Sequence, residues 1–134
     1  MFKRDVTLSI IIVNYNSKIW LTDCISSIVS TSKDIDYEII VIDNASSDGS
    51  VEMIKDKFSN ATLIANTDNV GFAKANNQGI ALANGDYVLL LNPDTLILSD
   101  SISQLLNFAY AHNEAGIIGP RLYRNQKMDH HPSI

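Results

Sequence analysis

The sequence predicts an α/β fold, with a mostly parallel sheet flanked by helices. Three observations carry that expectation. Short apolar runs, rich in β-branched residues, recur at 8–13, 37–42, 61–65 and 86–91. Between them lie stretches whose apolar residues repeat at spacings of three and four. The connections are short. Strand and helix alternating in this way signal parallel strands joined by helical crossovers.

The first run, Leu-Ser-Ile-Ile-Ile-Val at 8–13, is broken by Asn14-Tyr15-Asn16-Ser17. Ser17 can cap a helix whose apolar face is Trp20, Leu21, Cys24, Ile25 and Ile28. The second run, 37–42, ends in the turn-rich stretch 43–50. Asp48 or Ser47 is placed to cap the next helix, with Val51, Ile54 and Phe58 on one face. A short third strand at 61–65 leads into the loop 66–71 and a helix reaching about Ala83. Asn84-Gly85 is a helix stop. The fourth strand, 86–91, has Leu89, Leu90 and Leu91 as its driest part. Ser99 or Asp100 starts a fourth helix bearing Ile102, Leu105, Leu106 and Ala109. Gly116 to Gly119 reads as a fifth strand closed by Pro120, and no firm element follows Arg121. Right-handed crossovers favour the strand order 3-2-1-4, with winding reversing between strands 1 and 4. Ligands in such sheets bind beyond the carboxyl ends of the strands, at that reversal.

The chain of 134 residues is read as a single domain spanning 1–134. Its formal net charge of −5, with no block of Lys or Arg, counts against a nucleic-acid partner. The single cysteine, Cys24, forms no intramolecular disulfide and reads as a buried thiol. No apolar run approaches membrane-spanning length, and the start lacks a signal-peptide pattern. The cytoplasm is the default, with peripheral association at the inner membrane face left open. His130 and His131 read as a solvated tail, with metal ligation the minority reading.

Polar residues gather where the strands end: Asn14, Tyr15 and Asn16; Asp43 and Asn44; Asp68 and Asn69; Asn92 and Asp94. Any one such loop is explained by the turn preference of Asp and Asn. Four on one edge of a sheet suggest a site. No G-x-G-x-x-G and no G-x-x-x-x-G-K-[ST] occurs, which argues against a NAD-type site and a P-loop. The first strand ends without an Asp, so a receiver domain or a haloacid-dehalogenase-like phosphatase lacks its nucleophile. Asp43 stands where dinucleotide folds place an acceptor for a ribose hydroxyl or a base N–H. Asp94 suits Mg²⁺ or Mn²⁺, which are held by one or two carboxylates plus substrate phosphates.

The stretches SIIIVNYN, VIDNASSDGS, NVGFAKANNQGI and GDYVLLLNPD occur in this order and spacing. Together they closely resemble the N-terminal half of family 2 glycosyltransferases, especially the rhamnosyltransferase-like branch, from about Leu8 to Tyr123. The resemblance implies a GT-A fold binding a nucleotide-diphosphate sugar, UDP- or dTDP-linked, with a glycan or lipid-linked acceptor. It implies that Val13, Asn14 and Tyr15 line the base and that Asp43 contacts base or ribose. Asn69, Gly71 and Asn76 would lie near the nucleotide. The family's D-x-D element, which holds Mg²⁺ or Mn²⁺ on the diphosphate, is matched by Asn92-Pro93-Asp94. There an amide replaces the first carboxylate, so Asp94 is the principal expected metal ligand and Asn92 the second.

In the family an acceptor-binding half with the general base follows in longer chains. The chain is therefore expected to be the donor-binding half of an inverting, metal-dependent enzyme of polysaccharide or cell-envelope glycan synthesis, with its catalytic base unidentified. A homodimer is expected where that half is missing. The alternative is a non-catalytic nucleotide-sugar-binding or interaction module. A nucleotidyltransferase would want a Gly-rich loop and a basic residue after strand 1, and Asn14-Tyr15-Asn16-Ser17 offers neither.

Overall fold

The structure, a computed structural model, describes residues 6–124 together with 129 and 130. The chain forms two compact units, Met1–Ser99 and Asp100–Ile134. In the first, β1 (Leu8–Asn14), α1 (Lys18–Thr31), β2 (Tyr37–Asp43), α2 (Ser50–Lys57), β3 (Thr62–Ala65), α3 (Phe72–Leu82) and β4 (Tyr87–Leu91) alternate as expected. All strand pairs are parallel, in the order β3-β2-β1-β4. The second unit holds α4 (Ser101–Ala111) and an antiparallel pair of two-residue strands, β5 (Tyr123–Arg124) and β6 (Asp129–His130).

The central strand explains the fold's stability. Ile10, Ile11 and Ile12 of β1 are fully buried, as are Val41 and Ile42 of β2. Burial on both faces is what helices on both sides of a parallel sheet demand. On one face α3 seats Ala75 against Ile11, Ile40 and Ile42. That contact is close. A methyl group added at Gly79 would stand 2.5 Å from Ile11 Cγ2. Right-handed crossovers place α1 and α2 on the other face. The opposite end of the sheet is tied by Glu38, whose carboxylate accepts from Ser9 Oγ at 2.6 Å and from the Asn84 backbone N–H at 2.7 Å. Burial raises the Glu38 pKa, but those hydrogen bonds prevail and hold it below its ordinary value.

Several expectations are corrected. Trp20 is 60% exposed, while Leu21, Cys24, Ile25 and Ile28 are fully buried. At 100° per residue, Trp20 sits about a quarter-turn from the centre of that buried stripe. Leu90 is not part of a dry core either, being 49% exposed beside Val88 at 43%. Both lie level with Ser9 and Ile11 on the α3 face, and α3 packs over β1 and β2 rather than β4. Residues 116–119 form no strand, and Ile117 is 96% exposed. An apolar pair between two glycines supplies neither the length nor the burial that a strand needs. Short pairing appears instead beyond Arg121, at β5 and β6. His131 lies outside the described residues, and His130 is described only as backbone of β6.

Candidate functional site at the carboxyl edge of the sheet

Strands β1 and β2 run in register and end level, with Asn14 beside Asp43. The ladder continues one step further, as Asn44 N–H donates to the Asn14 carbonyl at 2.8 Å. The side chains then take over. Asn14 Nδ2 donates to Asp43 Oδ1 at 2.8 Å and to Ser46 Oγ at 3.2 Å. Ala45 adopts a positive φ of 64°, which folds the loop back. Ser46 N–H can then donate to Asp43 Oδ2 at 2.8 Å. Both Asp43 oxygens are therefore engaged, and the residue is 2% exposed. A carboxylate retains further acceptor capacity, but holding the two loops together is the part the geometry displays.

The seam extends outward. Asn16 N–H donates to Ser46 Oγ at 2.9 Å, and Asn16 Oδ1 accepts from Ser47 N–H at 2.8 Å. Ser17 is the N-cap residue of α1 but makes no side-chain cap bond; its hydroxyl donates to the Tyr15 carbonyl instead. Asp48 caps in its place, accepting from Lys18 N–H at Oδ2, 2.8 Å. Its Oδ1 accepts from Ser50 N–H at the start of α2, 3.0 Å. Asp48 thus does serve α2, although the residue at the cap position itself is Gly49, with φ 82°.

A chain of amides continues the edge toward α3. Asn44 Nδ2 donates to the Gly71 carbonyl, Asn66 Nδ2 donates to Asn44 Oδ1, and Asn66 and Gln78 exchange two bonds of 2.9 Å. Asn69 Oδ1 accepts from Gly71 N–H at 3.0 Å, shaping the turn into the positive-φ Gly71 that precedes α3. Asn76 is buried and donates to the Phe72 carbonyl one turn back. Val13 packs against the α3 core, while Tyr15 is half exposed. The expected nucleotide residues Val13, Asn14, Tyr15 and Asp43 therefore converge on one edge. Asn69, Gly71 and Asn76 belong to the α3 start, where each has a local structural job. Asn16 and Asn44, two of the polar residues at the strand ends, complete the arrangement together with Ser46 and Asn66, which the sequence did not single out. Their types were visible, but their partners sit up to 32 residues away.

Asn14 Oδ1 is buried and has no hydrogen-bond partner among the described residues. Its amide orientation follows from chemistry, since the Asp43 carboxylate requires a donor. That leaves one acceptor at the seam unsatisfied.

Strand β4 stops at Leu91, and Thr95 N–H closes a turn onto the Asn92 carbonyl at 3.2 Å. Asn92 and Asp94 are exposed on that turn. Among the described residues the Asp94 carboxylate has no hydrogen-bond partner. It is beside Cys24, whose thiol is pushed up to about 12, first by burial and then by the Asp94 charge. The Cys24 Sγ donates to the Asn92 carbonyl at 3.7 Å, so this thiol is occupied and inert. An unpaired carboxylate and an amide oxygen are hard donors of the kind Mg²⁺ and Mn²⁺ accept. Among the described residues no group of three His, Cys, Asp or Glu forms a closed cage. The donor set fits a cation held mainly by a bound diphosphate.

The family model described as glycosyl transferase family 2 matches residues 9–133, and the chain belongs to that family. Over 68 residues, 48% of its length, it is 38% identical to a poly(ribitol-phosphate) beta-glucosyltransferase of Bacillus spizizenii. It spans 11% of that relative. S. aureus TarS 1-349, solved in complex with UDP-GlcNAc, superposes with a TM-score of 0.69 at 23% identity, covering 81% of this chain and 32% of that one. The mannosyltransferase PcManGT of Pyrobaculum calidifontis, solved with GDP-Man and Mn²⁺, gives 0.74 at 20% identity, covering 92% and 37%. The fold is GT-A. Among the described residues no helix is long and apolar enough to cross a membrane.

Proposed function

We propose that the chain is the donor-binding part of an inverting, metal-dependent glycosyltransferase of the rhamnosyltransferase-like branch, acting in polysaccharide or cell-envelope glycan synthesis. The observation that carries this reading is the Asn14–Asp43–Ser46 seam on the same sheet edge as the unpaired Asp94. The seam would present Val13, Asn14, Tyr15 and Asp43 to the nucleoside of a UDP- or dTDP-linked donor. Asp94, assisted by Asn92, would hold Mg²⁺ or Mn²⁺ against the diphosphate. The cation's chemistry is to neutralise the phosphate charge as the nucleotide leaves. Inversion needs an acceptor hydroxyl to displace the nucleotide directly, with a general base within hydrogen-bond reach. Asp43 and Asp48 are committed to hydrogen bonds at the loops of the carboxyl edge, and Glu38 lies at the opposite end of the sheet, so all three are poorly placed for that proton. The base belongs to the acceptor side. The acceptor is a glycan or a lipid-linked glycan, and the chain works in the cytoplasm or peripherally at the inner membrane face.

Titration calorimetry with UDP, dTDP and GDP, each with and without Mn²⁺, tests the donor reading. Saturable binding of at least one, strengthened by Mn²⁺, is expected. Heat of dilution alone for all three would overturn it.

A further inference from the structure

Both oxygens of Asp48 are committed, each to a different helix. Oδ2 accepts from Lys18 N–H, the first residue of α1, at 2.8 Å. Oδ1 accepts from the N–H of Ser50, the first residue of α2, at 3.0 Å, and from Ser50 Oγ at 2.5 Å. The first N–H groups of a helix have no partner inside it and carry the positive end of its dipole. One carboxylate here satisfies two such ends at once. The contact joins residues 30 apart in sequence, and it is not a local turn. It lies at the outer end of the seam that begins at Asn14 and Asp43 and runs through Ser46, Asn16 and Ser47. Lys18 folds over the same place, since a side chain at Gly49 would meet its Nζ at 3.1 Å.

We propose that Asp48 is a positioning residue for donor binding: it clamps the β1–α1 and β2–α2 loops into one preorganised nucleoside cradle. The inference rests on the donor reading above. Asp48 makes no contact with the nucleotide in this account. It removes freedom that the free loops would otherwise lose on binding, a cost that ordering mobile loops carries. Two loops that each carry half of a site are useful only when they are held in one relative position.

Asp48→Ser tests this. A hydroxyl can still serve the start of α2 two residues on, but it is too short to reach Lys18 as well. Hydrogen exchange of the ligand-free variant is expected to rise about tenfold or more at residues 14–18, with β1 and β2 unchanged. Affinity for UDP with Mn²⁺, or for whichever nucleotide the wild type binds, should fall by about fivefold or more. Saturating nucleotide should restore the protection of residues 14–18 to the wild-type level, and exchange rising equally in β1 and β2 would mark a general loss of stability and overturn the inference. Should Asp48→Ser fail to fold, Asp48→Asn replaces it, because an amide turns one acceptor into a donor facing an N–H. Unchanged exchange at 14–18, or unchanged affinity, overturns the inference while leaving the donor reading standing. A wild type that binds none of UDP, dTDP and GDP overturns the donor reading, and the role of Asp48 in it falls too.

Discussion

Asn14 donates to Asp43 at 2.8 Å across the level ends of β1 and β2, so the two residues proposed to serve the nucleoside are bonded to each other in the ligand-free chain. Asp43→Asn should therefore have two effects. With the Asn14 amide as it stands, the new amide turns a donor toward Asn14 Nδ2 or Ser46 N–H, both of which are donors; turning the Asn14 amide over relieves that clash but replaces charge-assisted bonds with neutral ones. Because the site is 2% exposed, the mismatch should cost about 1–3 kcal/mol of stability. Urea unfolding reads that cost, and calorimetry with UMP and TMP reads the accompanying loss of affinity with or without metal. Unchanged values in both would return Asp43 to a turn residue.

Asp94→Ala should behave in the opposite way. The side chain is exposed, so stability should stay within about 0.5 kcal/mol. Nucleotide at about 100 times its dissociation constant stabilises a protein by about 2.7 kcal/mol. The Mn²⁺-dependent part of that melting shift should vanish in the variant. A full shift with UDP or dTDP and Mn²⁺ would remove Asp94 from the metal.

Glu38 makes the far end of the sheet sensitive to acid. Its folded pKa lies below the ordinary 4.5, so the carboxylate stabilises the fold above that value. The contribution is lost as pH falls below 4.5 through the lower folded value. Glu38→Gln should lower the urea midpoint at pH 7, corresponding to a loss of about 1 kcal/mol of stability. It should also flatten the acid limb below pH 4.5. An identical acid limb in the variant would assign the pH dependence elsewhere.

Cys24 should be silent. Its thiol is fully buried and pushed up to about 12, and the thiolate is the reactive form. A disulfide reagent at pH 8 should label the native chain far more slowly than the urea-unfolded chain. Equal rates would contradict the burial.

All four helices were legible because each rests on local periodicity, and the strand order because right-handed crossovers leave few ways to arrange four parallel strands. The buried stripe of α1 was legible for Leu21, Cys24, Ile25 and Ile28, whereas Trp20 shares their apolar character but not their angle. Leu90 is apolar yet half exposed, because hydrophobicity says nothing about where α3 ends its cover. The stretch 116–119 resembled a strand only in composition. At the edge of the sheet, Asn14, Asp43 and Asp94 stood out as polar residues following apolar runs. Asp48 stood out as a cap for α2, but its bond to Lys18 crosses 30 residues. A hydrogen bond of that span leaves no periodic trace in a single sequence.

Gly79 gives the α3 contact a mechanical meaning. Helix α3 passes Ile11 where a methyl group would stand 2.5 Å away, so any larger residue at this point would lift the helix or displace Ile11. Seven residues, or about 10 Å of helix, separate Gly79 from Phe72 at the rim of the edge. Raising the helix at Gly79 would swing that rim like the end of a beam and draw Gly71 away from Asn44 Nδ2. The smallest side chain in α3 thus sets the height of the wall beside the strand ends.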